Sequence, residues 1–91
     1  MEFEWDPIKA ETNYRTHNVR FSEALAVFED ENALTITDDE SDPWEQRFIS
    51  IGVGVRGRVL VVVFSYRGSK VRIISVRVAE AHERRQYEGA L

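Results

Sequence analysis

Lys9, Asn13 and His17 recur at intervals of four residues, which on a helix stacks them on one face. That face offers a cation, an amide and an imidazole, and an unperturbed imidazole titrates near neutrality, so it can give or take a proton. Arg72 and Arg77 lie near the C-terminus in a segment that reads as a strand. A guanidinium is always charged, and its fork matches two phosphate oxygens as a lysine cannot. The chemistry in view is phosphate binding joined to proton transfer. Plainer roles compete: His17 sits at a helix end and can interact with the last carbonyls, while Lys9 and the strand arginines can pair with the many carboxylates. There is no cysteine, which removes thiol catalysis, disulfides and thiolate metal sites together. His17 and His82 are far apart, and the carboxylates show no zinc or calcium-loop spacing, so no metal and no cofactor are expected. His82 reads as surface.

The elements that must position these residues follow from capping and periodicity. Phe3 to Trp5 is a short extended segment. Asp6 then serves as N-cap and Pro7 as first helical residue of a helix running to about His17, with Asn18 as its left-handed stop. Phe21, Ala24, Leu25 and Phe28 form one apolar stripe of a second helix, with Ser22 as a candidate cap. Ala33 to Thr37 alternates as a strand, and Asp38 to Pro43 is an acidic loop. Arg47 to Val53, Val59 to Phe64 and Lys70 to Val78 read as three antiparallel strands, joined at Gly54–Gly57 and Gly68-Ser69. The middle strand is apolar at every position, as a strand covered on both faces would be, and any part left uncovered would be apolar surface for a partner. Ala79 to Glu88 reads as a polar helix with Glu80 and Arg84 one turn apart. The expected order is β-α-α-β-β-β-β-α: an α+β fold with two N-terminal helices on a mainly antiparallel sheet of four to five strands, and a short C-terminal helix at an edge or on the other face. Arg72 and Arg77 are an odd number of residues apart, so an unbroken strand points them to opposite faces, and only a bulge lets both meet one phosphate. Arg77 shares a face with Ser75. Glu45 and Arg47 share one side of a strand start and can pair with each other.

With 91 residues, 43% apolar and 11% aromatic, the chain has material for one core, and a single domain over residues 1–91 is expected. The longest apolar run, Val59 to Phe64, is far short of the roughly 20 residues of a membrane helix. The first residues are acidic and aromatic where a secretory signal is basic and then apolar, which points to the cytosol. The net charge of -4 hides a division along the chain. Met1 to Glu45 carries 13 acidic and three basic residues; Gln46 to Leu91 carries nine basic and three acidic. The basic half suits an anionic polymer, and the acidic half suits a basic partner.

Several elements together resemble one family. They are Phe3-x-Trp5-Asp6-x-x-Lys9, Asn13, His17-x-Val19-x-Phe21-x-x-Ala24 and Val27-Phe28-x-Asp30 in the first half. In the second half they are Glu45-x-Arg47, Gly57-Arg58-x-Leu60-x-Val62, Arg72-Ile73-Ile74-Ser75-x-Arg77-x-Ala79 and Glu83-Arg84-x-x-Tyr87. This pattern resembles the BrnT toxins of type II toxin–antitoxin systems. The resemblance implies a RelE-like fold and an endoribonuclease of the mRNA interferase type that inhibits translation. It also implies a cognate BrnA-type antitoxin as partner, with operator DNA reached only through the antitoxin and no membrane partner. RNA cleavage without a metal needs a base for the attacking 2′-hydroxyl, an acid for the leaving oxygen and cations for the developing charge. On this reading Arg77, Arg72, His17 and Tyr87 are the catalytic candidates, Tyr87 by resemblance alone, and Lys9, Arg47 and Arg58 are candidates for substrate binding. By itself Tyr87 reads as an aromatic pinning the last helix to the sheet. The rival is a non-catalytic protein-binding module in an autoregulatory transcription complex, and it leaves RNA intact.

Overall fold

Asp6 and Pro7 start a helix as their types require. In the computed structural model, which describes residues 1–89, the chain forms β1 (Glu2–Glu4), α1 (Pro7–His17), a 3-10 helix η1 (Phe21–Glu29), β2 (Leu34–Thr37), β3 (Arg47–Val53), β4 (Val59–Arg67), β5 (Lys70–Val78) and α2 (Ala81–Gly89). The Asp6 side chain accepts a hydrogen bond from the Ile8 N–H, satisfying an otherwise orphaned donor, and Asn18 ends α1 at φ 56°. At the far end of the chain, the Glu83 carboxylate reaches back to the Glu80 N–H, the reciprocal half of a capping box.

The second helix is not α-helical as the stripe predicts. Phe21, Ala24 and Val27 recur every three residues and are all but fully buried, while Leu25 and Phe28 only flank the core. A 3-10 helix eclipses residues i and i+3, so the buried side chains take that spacing. The Val55 N–H donates to the Glu23 carbonyl, so a sheet loop takes up that acceptor. Nor does Ser22 cap η1: its N-cap is Arg20, which makes no side-chain capping bond. The close approach also fixes Gly54, where a Cβ would lie 2.8 Å from that carbonyl oxygen.

The five strands lie in the order β1-β5-β4-β3-β2. β1 runs parallel to β5 and the other pairings are antiparallel. Gly68 and Ser69 close the β4–β5 hairpin, with Gly68 at φ 60°. A positive φ at the first of two turn residues is the pattern that matches strand twist. One sheet face carries Leu60, Val62, Phe64, Val71, Ile73 and Val76, which pack with Val19 and the η1 residues into the core. Phe28 bridges Phe3 and Phe64 by ring contacts of 5.1 and 4.9 Å. Each fully buried side chain of this kind contributes about 1.5–3 kcal/mol.

Along β5 the pairing with β4 slips between Val63 and Phe64: Val63 opposes Ser75 and Phe64 opposes Ile73, so Ile74 is an extra residue. The bulge restores phase between the two ends of β5. Lys70, Arg72, Ser75 and Arg77 therefore all project from the second face, opposite the core. Glu83 of α2 bonds Arg77 on that face, and α2 also contacts β3, so α2 crosses one end of the second face and leaves the rest open. Among the described residues no helix is long and apolar enough to cross a membrane.

Candidate functional site

The second face collects the arginines of three strands. Arg47 of β3 and Arg72 of β5 both oppose Ser65 of β4, so the three form one row across the sheet. Two strand spacings put the outer pair about 10 Å apart at the backbone. Arg77 opposes Val61, four residues along β4 from Ser65, which places it about 13 Å from that row. Ser75, opposite Val63, lies between them. Arg72 and Arg77 are thus brought to one face by the bulge.

The three arginines differ in what holds them. Arg77 makes two short bonds to Glu83, 2.7 and 2.8 Å, and this pairing raises its already high pKa further. The same hydrogen bond, helped by the Glu80 N–H and opposed by burial, holds the Glu83 carboxyl at about 2. Arg72 faces Glu4 of β1 at 3.6 Å. Among the described residues Arg47 makes no ion pair, and its buried Nε has no hydrogen-bond partner. It does not pair with Glu45. Instead Glu45 takes Arg67 at 3.5 Å and accepts from the Ser65 hydroxyl, because Ser65 and Arg67 extend β4 beyond the expected Phe64. Likewise Arg84 turns to Glu88 rather than to Glu80.

The α1 candidates separate. Lys9 and His17 are exposed and, with Thr12, Asn13, Thr16 and Ile74, line a groove of about 260 Å³ beside the bulge. Asn13 is buried and fully engaged: its Nδ2 donates to the carbonyls of Val19 and Val76, and its Oδ1 accepts from the Val76 N–H. β1 ends its pairing at Arg72, so the outer edge of β5 is bare at Val76, and the Asn13 amide takes the place of a neighbouring strand there. That amide docks α1 and so fixes where Lys9 and His17 stand; its chemistry is spent on the backbone.

Arg58 and Tyr87 are placed away from the arginine row. Arg58 donates twice at 2.8 Å to buried Glu23, which also draws Arg56 to 3.7 Å, and so ties the β3–β4 turn to η1. The Tyr87 hydroxyl donates to the Asp30 carboxylate at 2.5 Å, in a side chain 5% exposed. That hydrogen bond and burial push the phenol up to about 12. Burial would raise Asp30, but the Tyr87 hydroxyl and the N–H groups of Val53 and Asn32 outweigh it and lower its pKa. Tyr87 thus pins the end of α2, the structural role open to it from the sequence. Among the carboxylates that hold these groups, Asp30 and Glu83 stood in the motif elements Val27-Phe28-x-Asp30 and Glu83-Arg84-x-x-Tyr87 with no role assigned, and Glu4 was not marked.

Comparison with known proteins places the chain in a family. Residues 5–83 match the family described as ribonuclease toxin, BrnT, of type II toxin–antitoxin systems. The fold is similar to the crystal structure of the Brucella abortus ribonuclease toxin BrnT, with a TM-score of 0.71 and 27% identity, covering 88% of this chain and 97% of that one. No match was found among curated proteins. The chain belongs to the BrnT family of ribonuclease toxins of type II toxin–antitoxin systems.

Proposed function

We propose that the chain is a metal-independent endoribonuclease that cuts mRNA in the cytosol, so stopping translation, until a BrnA-type antitoxin neutralises it. The observation that carries this reading is the Ile74 bulge, which sets Arg72, Ser75 and Arg77 on the same open face as Arg47. Three cations around an apolar floor of Val61 and Val63 suit a bent phosphate backbone, and among the described residues Arg47 is the one of the three that no carboxylate holds. In this reading a 2′-hydroxyl attacks the adjacent phosphorus, leaving a 2′,3′-cyclic phosphate and a 5′-hydroxyl. Arg77 and Arg72 exchange carboxylate for phosphate and stabilise the added charge, Arg47 binds a neighbouring phosphate, and His17, which lines the same groove as Lys9, moves the proton of the 2′-hydroxyl toward the leaving 5′-oxygen. Arg58 and Tyr87 support the site by holding η1 and α2. Operator DNA is met only through the antitoxin.

One observation favours the rival reading of a non-catalytic module that binds protein in a transcriptional complex: Arg72 and Arg77 already have carboxylate partners. Incubating purified protein with RNA and a chelator separates the two. Wild type cuts, and Arg47→Ala or Arg77→Ala cut about 100-fold more slowly or worse. Intact RNA with a folded wild-type chain overturns the enzymatic reading.

A further inference from the structure

The two edges of the sheet are built differently. β1, Glu2-Phe3-Glu4, ends the sheet on one side with two charges in three residues, a common guard against further strand pairing. β2 ends it on the other side with Leu34-Thr35-Ile36-Thr37, which contains no charge, no proline and no bulge, and whose residues are strong strand formers. Thr35, Ile36 and Thr37 are exposed, Ile36 to 64%. The Asp38 N–H donates to the Arg47 carbonyl, which makes that a bonded pair. The alternation of an antiparallel ladder then turns the N–H and C=O groups of Thr35 and Thr37 outward. This is an unguarded template for one more strand.

Charge decides what can occupy it. The two ends of β2 are flanked by acidic runs, Glu29 to Glu31 before it and Asp38 to Asp42 after it. A second copy of the chain adding antiparallel across a two-fold axis would bring the first run of each copy against the second run of the other, carboxylates on carboxylates, and is disfavoured. A basic segment meets the opposite situation at both ends.

We propose that β2 is the docking edge for the antitoxin, which adds an extended segment to it, with apolar residues beside Ile36 and lysine or arginine at the two ends. The inference rests on the reading of the chain as the toxin of a pair, and adds to it the surface and the chemistry of the partner. β2 ends the sheet on the side away from β1, three strands beyond β5, which carries Arg72 and Arg77. The antitoxin then reaches the arginine face from β2 rather than from the groove beside α1.

Amide hydrogen exchange on the purified chain, alone and with the cognate antitoxin, tests this. Expected is at least ten-fold slower exchange of the Thr35 and Thr37 amides in the complex. Ile36→Lys, with a wild-type melting temperature and undiminished RNA cleavage by the free toxin, should weaken the complex at least ten-fold. Joint replacement of Asp38, Asp39, Glu40 and Asp42 by lysine should weaken it further and reverse its salt dependence. A stable complex in which both amides exchange at the free rate overturns the inference and leaves the toxin reading standing. Slowing in the free chain that grows with its own concentration identifies a second copy as the occupant and also overturns it. Failure of the toxin reading shows differently, as uncut RNA with folded protein.

Discussion

Asn13→Ala should be among the most damaging single substitutions in this chain although it removes one small polar group. The side chain makes three hydrogen bonds of 2.9 to 3.1 Å, all to backbone groups of Val19 and Val76, and both of those residues are 0% exposed. Alanine leaves two carbonyls and one N–H buried without partners, and each such loss costs about 1–3 kcal/mol. Even at the low end the sum is about 3 kcal/mol, against a total stability of about 5–14 kcal/mol for a chain of this length. The melting temperature should fall by roughly 12 °C or more. Asn13→Asp should be no better, because it points an oxygen at two carbonyl oxygens in place of the donor. Thermal unfolding followed by circular dichroism reads the change, with Thr12→Ala and His17→Ala as controls on exposed positions of the same helix. A fall of less than about 4 °C for Asn13→Ala would refute the bridging role.

The remaining predictions concern the charged contacts. The Glu83 carboxyl titrates at about 2 in the folded chain against an ordinary 4.5, so its pairing with Arg77 stabilises fully above the ordinary value and is lost as pH falls toward 2. Glu83→Gln should cost about 1–2 kcal/mol at pH 7, after allowance for the partly exposed Arg77, and flatten the acid limb of a urea-stability profile; an unchanged acid limb would contradict it. Tyr87, raised to about 12 from 10, behaves in the opposite sense: its contribution is complete below pH 10 and disappears between 10 and 12. Tyr87→Phe should be about 1–2 kcal/mol less stable than wild type at pH 8, and the gap should close toward pH 12 as the wild-type phenol ionises, read from urea midpoints at the two pH values. Arg47→Ala should reduce the slope of log affinity for single-stranded RNA against log salt by about 0.7, the value of one phosphate contact, while an unchanged slope would remove Arg47 from the RNA face.

Local chemistry made much of the fold legible. The bounds of α1 follow from Asp6, Pro7 and Asn18, whose capping and backbone preferences act within a few residues. β3 and β5 follow from alternation and from glycine turns, and the split of charge along the chain set an acidic first half, with the Asp38 to Pro43 loop, apart from a basic second half. What escaped depended on neighbours distant in sequence. The stripe beginning at Phe21 fits an α-helix as well as a 3-10 helix until the sheet selects the buried set, and Glu23 is tied up only because Val55 and Arg58 reach it. Asn13 looked like a member of a chemical face because helical spacing says which side chains share a face, and not what the face meets.

For the proposed site, residue types and spacing alone determined that guanidinium groups and an imidazole were present, and that Arg72 and Arg77 could share a face only across a bulge. The tertiary structure decided that the bulge exists, at Ile74, where the pairing of β4 with β5 changes register. It also decided which of the three face arginines are held by carboxylates among the described residues, since Glu4 and Glu83 reach Arg72 and Arg77 from elements paired or packed only after folding. Register and ion pairing are properties of two segments at once, so neither can be read from one strand's own order of residues.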